Sequence, residues 1–325
     1  MSRSNRSGFE YRGIMNILIA GASGFLGRNL ILQAPDDWQI VALYRSDASF
    51  PEFVRHSGRP GITAVDCDLM DPGRVAALLQ GHGSDWDGCL YLAAKVDIPW
   101  SVREPKQDLL ANTVPLLNLL ENLRVRKFVY FSSGAVYDGL NGEVDPRAQL
   151  APTLPYAISK LTCERYVQFY CERKRAIENY MIVRFFGAYG PYEAAHKIYT
   201  RLIRALVLEG QNSYKIYGDG RNLIDAMYVD DAVEATRRIF SGGHWNDTVN
   251  LAGGRPVTIE ALVREVGEAL GRGSITIEKE GVANESNQFW GSTSEMRDLY
   301  GFQPKVSLKD GMRRFKEFYV SQPSL

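Results

Sequence analysis

Short apolar runs alternate with longer stretches of helical period along the first 250 residues of the chain. Residues 15–20 (MNILIA), 39–44 (QIVALY), 62–65, 88–93, 127–131 and 180–185 read as buried strands, each bounded by turn or polar residues. Between them, residues 25–33 carry apolar positions at helical spacing. Asp71-Pro72 and Glu104-Pro105 open helices by the cap-then-proline signal, and residues 156–173 read as a long helix. Pro115 falls inside the helical run after Pro105 and is expected to kink it. Strands alternating with helices in this way predict an α/β fold, a doubly wound parallel (Rossmann) sheet covered on both faces.

After Gly187 the pattern changes. Residues 189–193 are turn-like and aromatic, 197–208 helical, and 215–220 a strand running into a turn. An amphipathic helix at 229–240 and a strand at 248–251 are expected to return to the large sheet. Residues 257–270, 293–300 and 307–320 supply small helices. No internal repeat and no low-complexity linker separates the parts, so they are expected to pack together.

Such sheets bind ligands beyond the carboxyl ends of their strands, where the distinctive residues of this chain fall. Gly21-x-x-Gly24-x-x-Gly27, with Ser23, Phe25 and Leu26 between the glycines, follows the first strand and opens a helix. Glycines there let the backbone approach a pyrophosphate, whose charge meets unpaired N–H groups at the helix start. A glycine triplet alone is also compatible with a plain turn; its place between strand and helix favours the dinucleotide reading.

At the end of the second strand an acid would hold a ribose 2′-hydroxyl, whereas Arg suits a 2′-phosphate. The chain has Arg45 there and no acid before Asp47, which points to NADP, with NAD the alternative and a solvated surface charge the plain reading of Arg45. Asp68-Leu69 ends the third strand; Asp68 could accept from an adenine amino group or cap a helix.

Tyr156 and Lys160 are four apart and share one helix face. A phenol titrates near pH 10, about three units too high for a base at neutral pH. A neighbouring ammonium and an oxidised nicotinamide are expected to lower that value. Ser133, at a strand end upstream, supplies a hydroxyl to orient a substrate oxygen. The three make a trio for moving hydride and proton at a carbon–oxygen centre.

The remaining composition narrows the classes. Lys plus Arg (38) equals Asp plus Glu (38), so no global field favours nucleic acid or an anionic membrane. No apolar run approaches the ~18 residues that span a bilayer. Residues 1–13 are Ser/Arg-rich without an apolar core, and are expected to be a disordered leader rather than a secretory signal. Cys67, Cys89, Cys163 and Cys171 show no CxxC pairing and no His at ligand spacing, so no metal site is expected. Cys89 reads as a buried strand thiol, and the set fits a reduced, cytoplasmic compartment.

The chain resembles the extended short-chain dehydrogenase/reductase family of nucleotide-sugar epimerases, dehydratases and reductases. The matching segments are Gly21–Gly27, Asp68-Leu69, Leu92-Ala93-Ala94, residues 131–137 (FSSGAVY), Tyr156–Lys160, residues 184–191 (RFFGAYGP) and residues 228–231 (YVDD), in family order over roughly residues 14–320. The resemblance implies Ser133, Tyr156 and Lys160 as the catalytic trio, and Leu92, Ala93, Ala94, Asn112 and Phe185 lining the cofactor cleft. It implies a dinucleotide-binding domain of residues 14–186 plus about 223–252, and a smaller C-terminal α/β substrate-binding lobe of 187–222 plus 253–325. It also implies a homodimer built through residues 105–123 and 156–174, and a nucleotide sugar as substrate.

Departures shape the choice of reaction. The 4,6-dehydratase branch places Asp-Glu after the catalytic hydroxyl; here Gly134 and Ala135 stand there. Gly187 replaces a frequent sugar-diphosphate Asn, and Ile224 a frequent Arg before the Asp matching Asp225. Arg221, Arg201 or Arg204 could supply the phosphate charge or be surface charges. Tyr217 matches a base-stacking position or fills a core; Trp290 could stack on a ligand or fill the lobe; Lys95 is a further substrate contact. The expectation is an NAD(P)-dependent C4 epimerase. The alternatives are an NADPH-dependent 4-keto nucleotide-sugar reductase, an oxidoreductase on a non-nucleotide carbonyl, and a binding module without turnover.

Overall fold

A computed structural model describes residues 13–83, 85–281 and 288–321, so the expected leader lies, apart from Gly13, outside the described residues. Strands β1 (Met15–Ala20), β2 (Trp38–Tyr44), β3 (Ile62–Asp66), β4 (Asp85–Tyr91) and β5 (Arg124–Ser133) join Ile177–Phe185 and Asp247–Leu251 in one parallel sheet. Its order is Asp247–Leu251, Ile177–Phe185, β5, β4, β1, β2, β3. The order reverses between β1 and β4, which opens a crevice at their carboxyl ends.

Successive residues of a strand face opposite sides, so β1 alone feeds two cores. Ile17 and Ile19 join Leu30, Ile40, Val129, Met181 and Phe240 on one face; Leu18 and Ala20 join Leu79, Tyr91, Leu119 and Phe128 on the other. Helix α1 (Phe25–Leu32) and the helix Val229–Ser241 cover the first face. Helices α3 (Pro72–His82), α5 (Pro105–Asn122) and α6 (Pro155–Phe169) cover the second; α2 (Phe50–His56) and α4 (Ile98–Arg103) are short connections. Beyond residue 187, the strands Ser213–Tyr217 and Thr276–Glu280 pair in parallel, and Gln288–Gly291 pairs in parallel with the earlier strand Asn141–Val144.

Local chemistry accounts for the helix ends. Asp71 caps α3 by accepting from the N–H groups of Gly73 and Arg74 at 2.9 and 3.1 Å, with Pro72 at the first position. Helix α5 runs unbroken through Pro115, which is buried against the sheet, so the proline does not divide it. The helix expected over residues 156–173 stays α-helical only to Phe169 and continues as a π turn, Tyr170–Lys174, closed by Arg175 in the left-handed region. Cys89 and Cys163 are fully buried and all four cysteines are free. Among the described residues no helix is long and apolar enough to cross a membrane.

One polar network crosses this apolar interior. Glu164 of α6 receives Arg184 in a two-pronged ion pair, Nη2–Oε2 at 2.8 Å and Nε–Oε1 at 3.1 Å, and Ser132 Oγ donates to its Oε1 at 2.5 Å. Arg184 Nη1 also donates to the Tyr137 hydroxyl and the Pro146 carbonyl. Tyr137 in turn donates to Asn250 Oδ1 at 2.7 Å. Removing one member of a buried pair leaves the other charge uncompensated. Arg184→Met is therefore expected to cost about 3–5 kcal/mol, read as a lower urea midpoint at unchanged slope; an unchanged midpoint would contradict this role.

Candidate active site

The crevice is lined first by the turn after β1. Gly21 has φ +84°, and a side-chain carbon there would lie 2.7 Å from the Ala93 nitrogen, so only glycine lets the β1 and β4 turns meet. A carbon on Gly27 would lie 2.5 Å from the Ala22 carbonyl oxygen, which fixes α1 tightly beneath the turn. Gly24 is the N-cap of α1, without a side-chain cap and without an acid in the first turn. The first-turn N–H groups of α1 thus receive no side-chain cap, Ser23, Phe25 and Leu26 flank them, and the cradle fits a pyrophosphate.

Leu92 N–H donates to Ala20 O at 2.9 Å, which brings Leu92, Ala93 and Ala94 alongside the glycine turn. Arg45 extends from the end of β2, mostly exposed, with a guanidinium nitrogen 3.7 Å from Asp68 at the end of β3. Asp68 Oδ1 also accepts from Met70 N–H at 3.0 Å, so it shapes its own turn while facing Arg45. Leu69 is buried in the core beneath. Asn112 of α5 accepts from Lys95 N–H at 2.9 Å and so holds the loop that follows β4.

Ser133 ends β5 and is in register with Phe185 of the neighbouring strand. Its Oγ accepts from Ala135 N–H at 3.1 Å, capping the 3-10 turn Gly134–Tyr137. Tyr156 enters from the first turn of α6, 4% exposed, with its N–H donating to Ser101 Oγ and its phenol facing the Ser133 hydroxyl. Lys160, one turn on and 2% exposed, donates to the Phe131 carbonyl at 2.6 Å and lies 4.4 Å over the Tyr130 ring. The trio therefore converges on the carboxyl end of β5.

In the protein alone, burial pushes the Tyr156 phenol up to about 12, Asp108 and Cys163 reinforce that, and the Ser133 hydroxyl opposes it. The ammonium is directed at Phe131 and Tyr130, and burial pushes Lys160 itself down to about 8. The protein alone holds a neutral phenol beside a weakened cation.

The expected substrate contacts separate. The strand bearing Trp290 packs on Phe186: a carbon on Gly291 would lie 2.7 Å from that ring, and Phe186 in turn covers Gly134. Lys95 is exposed with its Nζ 5.1 Å over the Trp100 ring. Arg221 is exposed, 3.7 Å from Asp219, with its carbonyl accepting from Gln288. Tyr217 is 67% exposed at the end of its strand. Arg201 and Arg204 are also exposed. Sequence reasoning missed Ser101, Asp108 and Ser159, buried polar groups around α6; Ser159 directly precedes Lys160, and Asp108 sits one helical turn before Asn112.

Known proteins resemble this chain in sequence and fold. The model of the NAD dependent epimerase/dehydratase family matches residues 17–252. The chain is 27% identical to the uncharacterized UDP-glucose epimerase of Bacillus subtilis, over 92% of this chain and 96% of that one. It is 26% identical to the mouse dTDP-D-glucose 4,6-dehydratase, over 98% and 92% respectively. Among solved structures, a UDP-N-acetylglucosamine 4-epimerase from Methanobrevibacter ruminantium superposes with a TM-score of 0.83 at 25% identity, over 95% of this chain and 99% of that one.

Proposed function

This chain belongs to the NAD dependent epimerase/dehydratase family, and we propose that it inverts C4 of a nucleotide sugar through a transient keto intermediate. The observation that carries this reading is the meeting of Tyr156 and Ser133 at the end of β5 with Gly134 closed against Phe186. Gly134 and Ala135 stand where the dehydratase branch places its acids, and a carbon on Gly134 would already lie 3.0 Å from the Phe186 ring, so no acid is in place there to expel a hydroxyl. The epimerase names of the Bacillus and Methanobrevibacter proteins support the same choice.

When bound, an oxidised nicotinamide dinucleotide supplies a hydride acceptor and a positive charge that favours the phenolate. Ser133 orients the substrate oxygen, Tyr156 takes its proton and later returns it, and Lys160 fixes the helix that carries the phenol. Gly21, Ser23, Gly24, Phe25, Leu26 and Gly27 hold the pyrophosphate, with Leu92, Ala93, Ala94, Asn112 and Phe185 along the crevice. Arg45 supports NADP as the preferred form, because its guanidinium extends from β2 where a 2′-phosphate would lie. That same residue supports a second reading, an NADPH-dependent reductase of a 4-keto nucleotide sugar. Trp290, Lys95, Arg221 and Tyr217 are the proposed sugar-nucleotide contacts, mainly in the part formed by residues 187–222 and 253–325. The four free thiols support a reduced, cytoplasmic location.

Leu109 and Leu110 on α5 and Ile158, Tyr166 and Phe169 on α6 are large apolar side chains left exposed. They support a homodimer through these two helices. Charged substitutions Leu109→Glu and Ile158→Glu together are expected to give a monomer in sedimentation; a persistent dimer would remove this interface.

With UDP-glucose or UDP-N-acetylglucosamine, the protein is expected to form the C4 epimer without net NAD(P)H production. Tyr156→Phe should lower kcat by about 10²–10⁴-fold; full turnover by that variant would end the reading. Stoichiometric oxidation of NADPH by a 4-keto nucleotide sugar would favour the reductase. Arg45→Ala should weaken NADP(H) about tenfold or more with little change for NAD(H); equal losses would cancel the cofactor preference.

A further inference from the structure

Asp108 is a fully buried carboxylate on α5, turned toward α6. Its Oδ2 accepts from Ser159 Oγ at 2.7 Å and its Oδ1 from Asn112 Nδ2 at 3.1 Å. One bond stays within α5, one turn on, and the other crosses to α6. Asn112 holds the Lys95 backbone in the loop after β4, and Ser159 immediately precedes Lys160. Among the described residues, Lys160 is the cation whose field reaches Asp108.

The charges around Lys160 leave Asp108 a distinct part. From its own helix the amine faces Cys163 and Glu164; from β5 it meets the Phe131 carbonyl and the Tyr130 ring; from α5 it faces Asp108. Glu164 is already matched by Arg184 at 2.8 Å. The Tyr156 phenol faces Ser133, Asp108 and Cys163.

We propose that Asp108 is a positioning residue of this site: its carboxylate ties the loop after β4 to the helix bearing Tyr156 and Lys160, and adds to the negative field, shared with Cys163 and Glu164, on the side of the buried Lys160 amine. Burial alone drives the amine toward its neutral form, and the carboxylate opposes that. The same charge disfavours the Tyr156 phenolate, so one buried group restrains both members of the pair. The inference rests on the Tyr156–Lys160 reading above and is tested separately from it.

The full chain labelled with lysine carrying carbon-13 at Cε reads the titration directly by NMR, with the Lys160 signal identified by its loss in Lys160→Met. In Asp108→Asn the Lys160 midpoint is expected to fall measurably, because the uncharged amide keeps an acceptor for Ser159 while removing the charge. Ser159→Ala, which removes the hydrogen bond and keeps the carboxylate, should leave the midpoint near its original place. Asp108→Ser is a second uncharged variant, read on the same titration and held to the same result should Asp108→Asn not fold. An unchanged midpoint in the uncharged variant, or an equal shift in Ser159→Ala, overturns the proposal. Neither result depends on turnover, so loss of the functional reading through an active Tyr156→Phe variant remains a separate outcome.

Discussion

The buried ion pair between Glu164 and Arg184 is the joint on which the site depends. Helix α6 carries Tyr156 and Lys160, yet it reaches β5 and the strand Ile177–Phe185 across a largely apolar interface that the Lys160–Phe131 hydrogen bond also crosses. A greasy contact would allow a helix to slide or rotate by small amounts; a two-pronged guanidinium–carboxylate pair fixes both spacing and rotation. Ser132 bonds the same carboxylate while its neighbour Ser133 faces the crevice side, so the network positions two members of the trio from below. Its extension through Tyr137 to Asn250 carries the constraint to the far edge of the sheet. Burying two charges is costly, and good geometry with full hydrogen bonding is what offsets that cost.

Much of the fold was legible because parallel sheets write themselves plainly. Strands buried on both faces appear as unbroken apolar runs, and Met15–Ala20 and Ile177–Phe185 emerge within a few residues of the expected bounds. Cap-then-proline signals located α3 and α5 because the Asp71 carboxylate caps its own helix and Pro105 fits a first helical position. Pro115 lies inside α5 without ending it. The end of α6 was illegible, because the π turn at Tyr170–Lys174 reflects local backbone bonding rather than composition.

The site divides in the same way. Spacing along one helix put Tyr156 and Lys160 on one face, and the glycines announced the close approach of two turns. What spacing could not give was direction and surroundings: Lys160 turns to Phe131 and Tyr130, and burial outweighs its effect on the phenol. Asp108 and Ser159 look like ordinary helical polar residues until two helices close over them. Tyr217 and Arg221 sit on segments whose mutual placement depends on long-range folding, which local pattern does not encode.

The thiols offer a consequence of another kind. Cys163 lies three residues beyond Lys160, sealed between α5 and α6 with its sulfur 3.4 Å from the Asn112 carbonyl, and burial raises its thiol away from the reactive form. Alkylating reagents can reach it only when the two helices part, whereas Cys171 on the π turn is partly accessible throughout. The native chain therefore contains its own clock for transient opening of the helix pair, with an internal reference a few residues away and no foreign label required.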